Sequence, residues 1–154
     1  MAHDELPVQE RDDLALERQV CFALSVASRS VVGAYRPVLE PLGLSHPQYL
    51  VMLALWGSRS LSLRQLAEQL RLEPATLSPL VKRLEGAGLV ARARRADDVR
   101  TLDITLTERG AQLREQALAV PGEMMQRLGL DREELEQLHR LMTRLIAAVD
   151  GADA

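Results

Sequence analysis

Residues 62–90, SLRQLAEQLRLEPATLSPLVKRLEGAGLV, decide the fold. Ser62 followed by Gln65 is a capping-box pattern, and it opens a helix through Leu63, Leu66, Ala67 and Leu70. A tight link, Arg71 to Glu73, follows. Pro74 fits the first position of the next helix, where its missing N–H costs nothing. Leu77, Leu80, Val81 and Leu84 then recur at the spacing of one buried helical face. Gly86 and Gly88 end that helix; Pro79 inside it removes a hydrogen bond, a cost tolerated near a helix start. Leu89 to Ala93 and Thr101 to Leu106 have strand character around the polar tip Arg95-Ala96-Asp97-Asp98, which predicts a two-stranded hairpin. Helix, turn, helix and hairpin in that order predict a winged helix-turn-helix, placed at residues 45–106.

Upstream, Leu14, Leu16, Val20, Phe22, Leu24, Val26, Val31 and Val32 predict a long first helix from Asp12 or Asp13 to about Tyr35, before Pro37, Pro41 and Gly43 break the chain. A short second helix, Tyr49 to Trp56, is capped by Ser45 and entered through Pro47. Downstream, Thr107 with Gly110 and Leu113 starts a fifth helix running to Pro121-Gly122. Asp131 with Glu134 caps a last one through Leu135, Leu138, Leu141, Met142, Leu145 and Ile146. The terminal helices are amphipathic and too large for so small a centre to cover. They are expected to pack on a second copy about a two-fold axis, with residues 12–43 and 107–150 as the dimerisation helices of one domain, 1–154. The fold class is mainly α with a small β-wing.

The chain has 154 residues, 47% hydrophobic and 27% charged, which fits one domain with a real core; aromatics are only 3%, so that core is aliphatic. No run approaches the ~20 apolar residues of a membrane helix, and the N-terminus is acidic where a signal peptide is basic, so a cytoplasmic protein with no membrane partner is expected. One cysteine excludes a disulfide framework, and His3, His46 and His139 lack metal-ligand spacing, so neither metal nor cofactor is expected. The net charge of −3 hides an asymmetry. Residues 1–20 carry 2 basic and 6 acidic side chains, 21–61 carry 3 and 1, 62–100 carry 8 and 5, and 101–154 carry 6 and 10. The bases gather at Lys82-Arg83 and at Arg92, Arg94, Arg95 and Arg100, a local basic surface suited to a polyanion or, equally on charge alone, an ordinary hydrated face.

A helix that enters the major groove needs an apolar face for its own core and an opposite face of small or hydrogen-bonding side chains. With Leu77, Leu80, Val81 and Leu84 turned inward, Ala75, Ser78 and Lys82 lie opposite, flanked by Thr76 and Arg83. The small residues would meet bases and the cations phosphate. In the hairpin, Asp98 stands two residues from Arg100, a spacing that can hold the guanidinium extended for a minor groove or can be a plain surface ion pair.

Together, Ser62 to Leu70, Thr76 to Gly88, Asp98-Val99-Arg100 and Leu106-Thr107-Glu108-Arg109-Gly110 resemble the MarR family of dimeric bacterial repressors, over nearly the whole chain. Cys21-Phe22-Ala23-Leu24, Ser28-Arg29, Tyr35-Arg36-Pro37 and Pro47-Gln48-Tyr49-Leu50-Val51-Met52 resemble its organic hydroperoxide resistance regulators (OhrR). The resemblance implies a one-cysteine repressor that sits on a pseudo-palindromic operator in double-stranded DNA when reduced. It leaves when an organic hydroperoxide oxidises Cys21, derepressing a nearby thiol-dependent peroxidase gene. It also implies thiolate support from Tyr35, His46 and Tyr49, and DNA contacts from Ala75, Thr76, Ser78, Lys82, Arg83, Arg94, Arg95, Asp98 and Arg100.

The chain departs from that pattern where His46 stands in place of a tyrosine and Ser25 in place of a third aromatic. His46 can donate a hydrogen bond, and as a cation it would lower a thiol pKa more than a phenol does. Cys21 and Tyr35 are 14 residues apart, about 21 Å along one straight helix, so they are expected to meet only across antiparallel first helices of a dimer. With no second cysteine, a sulfenic acid must persist, capture a low-molecular-weight thiol or over-oxidise. Three other readings stand beside this one. One is a MarR-type repressor released by an aromatic or phenolic ligand with Cys21 incidental. Another is a helical interaction module without DNA, just as a lone cysteine among Val20, Phe22 and Leu24 is, apart from the resemblance, more often an inert buried hydrophobe. The last is an enzyme using Cys21 with His46 or Asp98, which no phosphate loop, nucleophile elbow or carboxylate pair supports.

Overall fold

The computed structural model describes residues 14–152. The expected helix start at Asp12 or Asp13 lies outside the described residues, but Leu14 and Leu16, expected to be helical, lie in a turn and a 3-10 turn, and the α-helix opens only at Val20. The chain divides into two compact units, one ending at Gly33 and the other beginning at Ala34. The first holds a 3-10 turn, Leu16–Arg18, and most of α1, Val20–Leu39. Its large apolar side chains Leu16, Val20, Phe22, Leu24, Val26 and Val32 are exposed.

The first helix outruns its expected end. Pro37 lies inside α1 rather than beyond it, because in the last turn it forfeits one hydrogen bond while Val38 and Leu39 gain full burial. A 3-10 turn, Glu40–Leu42, and Gly43 in the left-handed region then redirect the chain. The second helix, α2 (His46–Ser58), begins earlier than its apolar run because Ser45 and Gln48 form a reciprocal capping box; Pro47 occupies its first turn as expected. A second capping box, Ser62 with Gln65, opens α3 (Leu63–Leu70), and Pro74 opens α4 (Pro74–Gly86). Pro79 is exposed and α4 runs through it, so the lost bond is offset by burial of Leu77, Val81 and Leu84 on the other face.

The hairpin is part of a larger sheet. Strands β2 (Val90–Arg94) and β3 (Leu102–Leu106) pair as expected, but a third strand, β1 (Ser60–Ser62), adds antiparallel to β3 and gives the order β1-β3-β2. Ile104 faces Leu61 on one side and Arg92 on the other and is fully buried. A strand of three residues has no periodicity to read, and its pairing is decided by β3. The core collects Leu39, Met52, Leu55, Leu66, Leu77, Leu84 and Ile104, all fully buried.

The predicted fifth helix is two. α5 (Glu108–Ala117) is capped by Thr107, whose Oγ accepts the Gly110 N–H, and ends before α6 (Val120–Leu128). Pro121 and Gly122 thus start a helix instead of ending one, since proline in a first turn loses no bond the helix would have made. α7 (Arg132–Ala152) opens on the expected cap, with Asp131 accepting the Glu134 N–H at 2.8 Å and Glu134 accepting that of Asp131 at 2.9 Å. No residue of α7 is buried, and Leu138, Leu141, Leu145, Ile146 and Val149 are exposed. Asp150 near its end pairs with Arg71, the left-handed cap of α3, at 2.9 Å. No helix among the described residues is long and apolar enough to cross a membrane.

One junction fixes where α5 sits. A Cβ on Gly110 would overlap the Leu89 carbonyl, which is backbone and cannot swing aside. The Gly110 carbonyl accepts the Trp56 indole N–H at 2.9 Å. Gly110→Ala is expected to cost about 3 kcal/mol by overpacking, lowering the melting temperature by roughly 6–12 °C for a chain of this size; calorimetry or thermal circular dichroism measures it.

Candidate nucleic-acid interface and thiol environment

α4 and the wing meet in a groove of about 700 Å³ whose lining includes Ser62, Arg64, Pro74, Ser78, Arg92, Arg94, Asp98, Arg100 and Thr101. On α4, Ala75, Thr76, Lys82 and Arg83 are exposed, as their positions opposite the apolar face require, while Ser78 is half-buried at the groove wall. The structure therefore brings Ser78, Arg94, Asp98 and Arg100 into one groove, with the other predicted α4 residues on that helix's exposed face.

The arginines of the wing are not equivalent. Arg95 is spent on a two-pronged pair with Asp103, at 2.7 and 3.1 Å. Its hydrogen bonds hold the Asp103 carboxyl below its ordinary value. Arg92 is likewise held by Glu85 at 3.0 Å. Arg94 folds over the turn, its Nη1 3.5 Å from the carbonyls of Val99 and Arg100. Among the described residues Lys82, Arg83, Arg94 and Arg100 pair with no carboxylate, so within α4 and the wing the unpaired cations are these four.

Asp98 does not hold the Arg100 guanidinium. Its carboxylate accepts the Thr101 hydroxyl at 2.8 Å and the Arg100 backbone N–H at 3.1 Å, and those bonds, the hydroxyl first, lower its pKa. An aspartate two residues before a turn N–H satisfies the backbone in preference to a mobile side chain. Asp98 therefore shapes the loop that presents Arg100 and Val99, the latter 72% exposed. The Glu85 and Asp103 pairings are not legible in the sequence. The first spans a glycine turn and the second a strand register, and neither is a local spacing.

At the other end of this unit, Tyr35 lies against His46, ring centroids 4.8 Å apart, and against Tyr49 at 5.8 Å; Tyr49 stacks edge-on to Trp56 at 6.4 Å. The three residues predicted to support a thiolate are thus one cluster, and none of their side-chain polar atoms has a hydrogen-bond partner among the described residues. Burial raises the pKa of Tyr35 and of Tyr49, the latter helped by Tyr35, and lowers that of His46 below 6.5. Desolvation thus disfavours the charged form of the imidazole, which can still donate through an N–H. Tyr35 also lines a cavity of about 620 Å³ with Met124, Met125, Leu128, Arg132 and His139. Cys21, in the first turn of α1, is exposed and is no part of its own chain's core.

Comparison with known proteins agrees with this arrangement. Residues 44–102 match the model of the MarR family. The organic hydroperoxide resistance transcriptional regulator of Bacillus subtilis (strain 168) is 40% identical over 139 residues, 90% of this chain and 92% of that protein. The structure of reduced AbfR bound to DNA superposes with a TM-score of 0.78 at 32% identity, covering 94% of this chain and 99% of that one. Overoxidized AbfR bound to DNA superposes at 0.70 with 34% identity, covering 86% and 94%. These relatives are regulators and not enzymes, which removes the catalytic reading of Cys21 with His46 or Asp98. The chain belongs to the MarR family of transcriptional regulators.

Proposed function

We propose that this regulator is a homodimeric DNA-binding repressor released from a pseudo-palindromic operator when an organic hydroperoxide oxidises Cys21, derepressing a thiol-dependent peroxidase gene. The observation that carries the DNA-binding half is the groove between α4 and the wing, where Arg94 and Arg100 pair with no carboxylate among the described residues. In this reading residues 45–106 bind DNA. Ala75, Thr76 and Ser78 face base edges, Lys82, Arg83 and Arg94 meet phosphate, and Arg100, set by Asp98, enters the minor groove. Arg95 acts through Asp103 to stiffen the wing rather than as a free cation. Dimerisation through residues 12–43 and 107–150 is supported by the rows of exposed large apolar side chains on α1 and α7, the kind of surface a partner chain covers.

The sensing half rests on an exposed single cysteine and on likeness to a hydroperoxide regulator. The Cys21 thiolate attacks the terminal peroxide oxygen, the O–O bond breaks, and a sulfenic acid and an alcohol result. A small thiol then condenses with the sulfenic acid, releasing water. Thiolate support comes from the partner subunit's Tyr35, the partner subunit's His46 and the partner subunit's Tyr49, as neutral hydrogen-bond donors. Because an overoxidized relative is described bound to DNA, the bulky thiol adduct is the releasing species in this reading. Two recognition helices must stay about one DNA turn apart, so a small rotation between protomers misplaces both. A second reading, release by an amphipathic aromatic acid with Cys21 incidental, is favoured by the cavity beside Tyr35, where Arg132 and His139 edge an apolar wall.

Cys21→Ser is expected to bind operator like the wild type and to stay bound at a dose of cumene hydroperoxide, given with a small thiol, that releases the wild type. A gel shift with mass spectrometry of residue 21 decides, and release of the variant overturns the redox mechanism. Arg100→Ala is expected to leave dimerisation intact while reducing the slope of log affinity against log salt by about one; fluorescence anisotropy at several salt concentrations measures it. His46 carries a pH signature. Its folded pKa lies below its unfolded one, so its contribution to stability is whole above about pH 6.5 and is lost as pH falls toward the folded midpoint. The melting temperature is therefore expected to drop more from roughly pH 7.5 to 5.5 in the wild type than in His46→Phe.

A further inference from the structure

The outer strand of the wing is gripped by a carboxylate that belongs to α4. β2 is an edge strand, and an edge leaves alternate N–H groups without a ladder partner. One of these, the Arg92 N–H, donates to Glu85 Oε2 at 3.2 Å, while Arg92 Nη2 donates to Glu85 Oε1 at 3.0 Å. A single carboxylate therefore holds both the backbone and the side chain of one strand residue. The segment it closes contains Gly88, at φ +76°, which permits the sharp reversal from helix to strand.

Stability alone is a poor account of this contact. Arg92 Nε is buried with no acceptor, a donor that costs free energy where it is. A carboxylate beside a phosphate-binding groove also opposes DNA electrostatically, so its place there needs a purpose other than contact with the duplex. Arg92 lines the same groove as Ser78, Arg94 and Arg100, so whatever fixes Arg92 fixes the groove's width. We propose that Glu85 is a positioning residue for DNA binding: by latching β2 to the last turn of α4, it sets the angle at which recognition helix and wing reach adjacent grooves. This rests on the DNA-binding reading above. The latch touches no DNA itself; it makes the reach of Arg100 a property of the protein before the duplex arrives, so the ordering cost is not met on binding.

The test uses the full-length chain and a duplex of about 30 base pairs selected from random sequence by the wild-type protein. Glu85→Ala is expected to weaken binding about tenfold with an unchanged salt slope. It should lose hydroxyl-radical protection in the minor groove under the wing while keeping methylation protection in the major groove. Glu85→Gln, which keeps an acceptor for the Arg92 N–H, is expected to recover most of that loss. In the free protein, amide exchange at Arg92 should quicken in Glu85→Ala and not in Glu85→Gln. Wild-type affinity and footprint in Glu85→Ala overturn the proposal, as does tighter binding with a steeper slope, which would make Glu85 a simple repulsive charge. Failure of the wild type to select any duplex overturns the DNA-binding reading together with this one. Selection by the wild type with an indifferent Glu85→Ala overturns this one alone.

Discussion

The backbone of α5 lies against the Leu89 carbonyl, and it can do so only because residue 110 has no side chain. Around that approach the chain ties three elements together. Thr107 donates its hydroxyl to the Gly88 carbonyl at 2.6 Å and its N–H to the Leu89 carbonyl at 3.1 Å, and Trp56 reaches across from α2 to the Gly110 carbonyl. The turn after α4, the end of β3, the start of α5 and the far end of α2 therefore share one rigid junction. The wing grows from its two strands and α4 leads into it, so neither element that reads DNA in the proposed function can tilt without straining this contact. A glycine, the residue with least to contribute by burial, is what makes the two halves of the interface a single body.

Charge on this chain is organised by pairing rather than by composition. On a chain with a net charge of −3, pairing decides which cations of α4 and the wing stay free for a polyanion. Arg92 and Arg95 are held by Glu85 and Asp103 and stiffen the wing, whereas Arg94 and Arg100 carry its free charge. The five acidic residues of the 62–100 segment are thus not a uniform dilution of its eight bases. Glu85 and Asp98 act on wing geometry, and Glu68 pairs with its own helical neighbour Arg64 on the exposed surface, where such a pair counts for little.

What the sequence makes legible is what depends on neighbours along the chain. The Ser62 capping box, Ser45 as the cap of α2, Pro74 at its helix start, the apolar row of α4 and the Asp131 cap are local chemistry, and each occurs where the residues place it. The features that escape a local reading need distant information. β1 exists because β3 has a second edge to fill; α1 passes Pro37 because Val38 and Leu39 find a core; and Pro121 resembles a stop although a first turn suits it as well. Spacing alone offers Asp98 a side-chain partner, yet the nearer backbone N–H takes it. The lowered pKa of His46 is hidden for the same reason, since burial depends on what the fold packs around the ring, Tyr35 at 4.8 Å among it.

Burial of that histidine constrains how the proposed sensor works. Tyr35, His46 and Tyr49 are all pushed by burial toward their uncharged forms, so the cluster offers a sulfur anion dipoles and protons to share, not a counter-ion. Hydrogen bonds to an anion stabilise it most when the donors are oriented in advance and lack other partners, and the polar atoms of these three have no other partner among the described residues. A thiolate supported in this way depends on short-range geometry much more than one supported by charge, because a dipole's field falls away faster with distance. Adding even a few atoms to the sulfur removes the anion those donors would orient around and occupies their space at once. In the proposed function, loss of that small set of directed bonds, at a place where two protomers are proposed to meet, would be the physical step by which oxidation of one atom becomes a change in the relation between them.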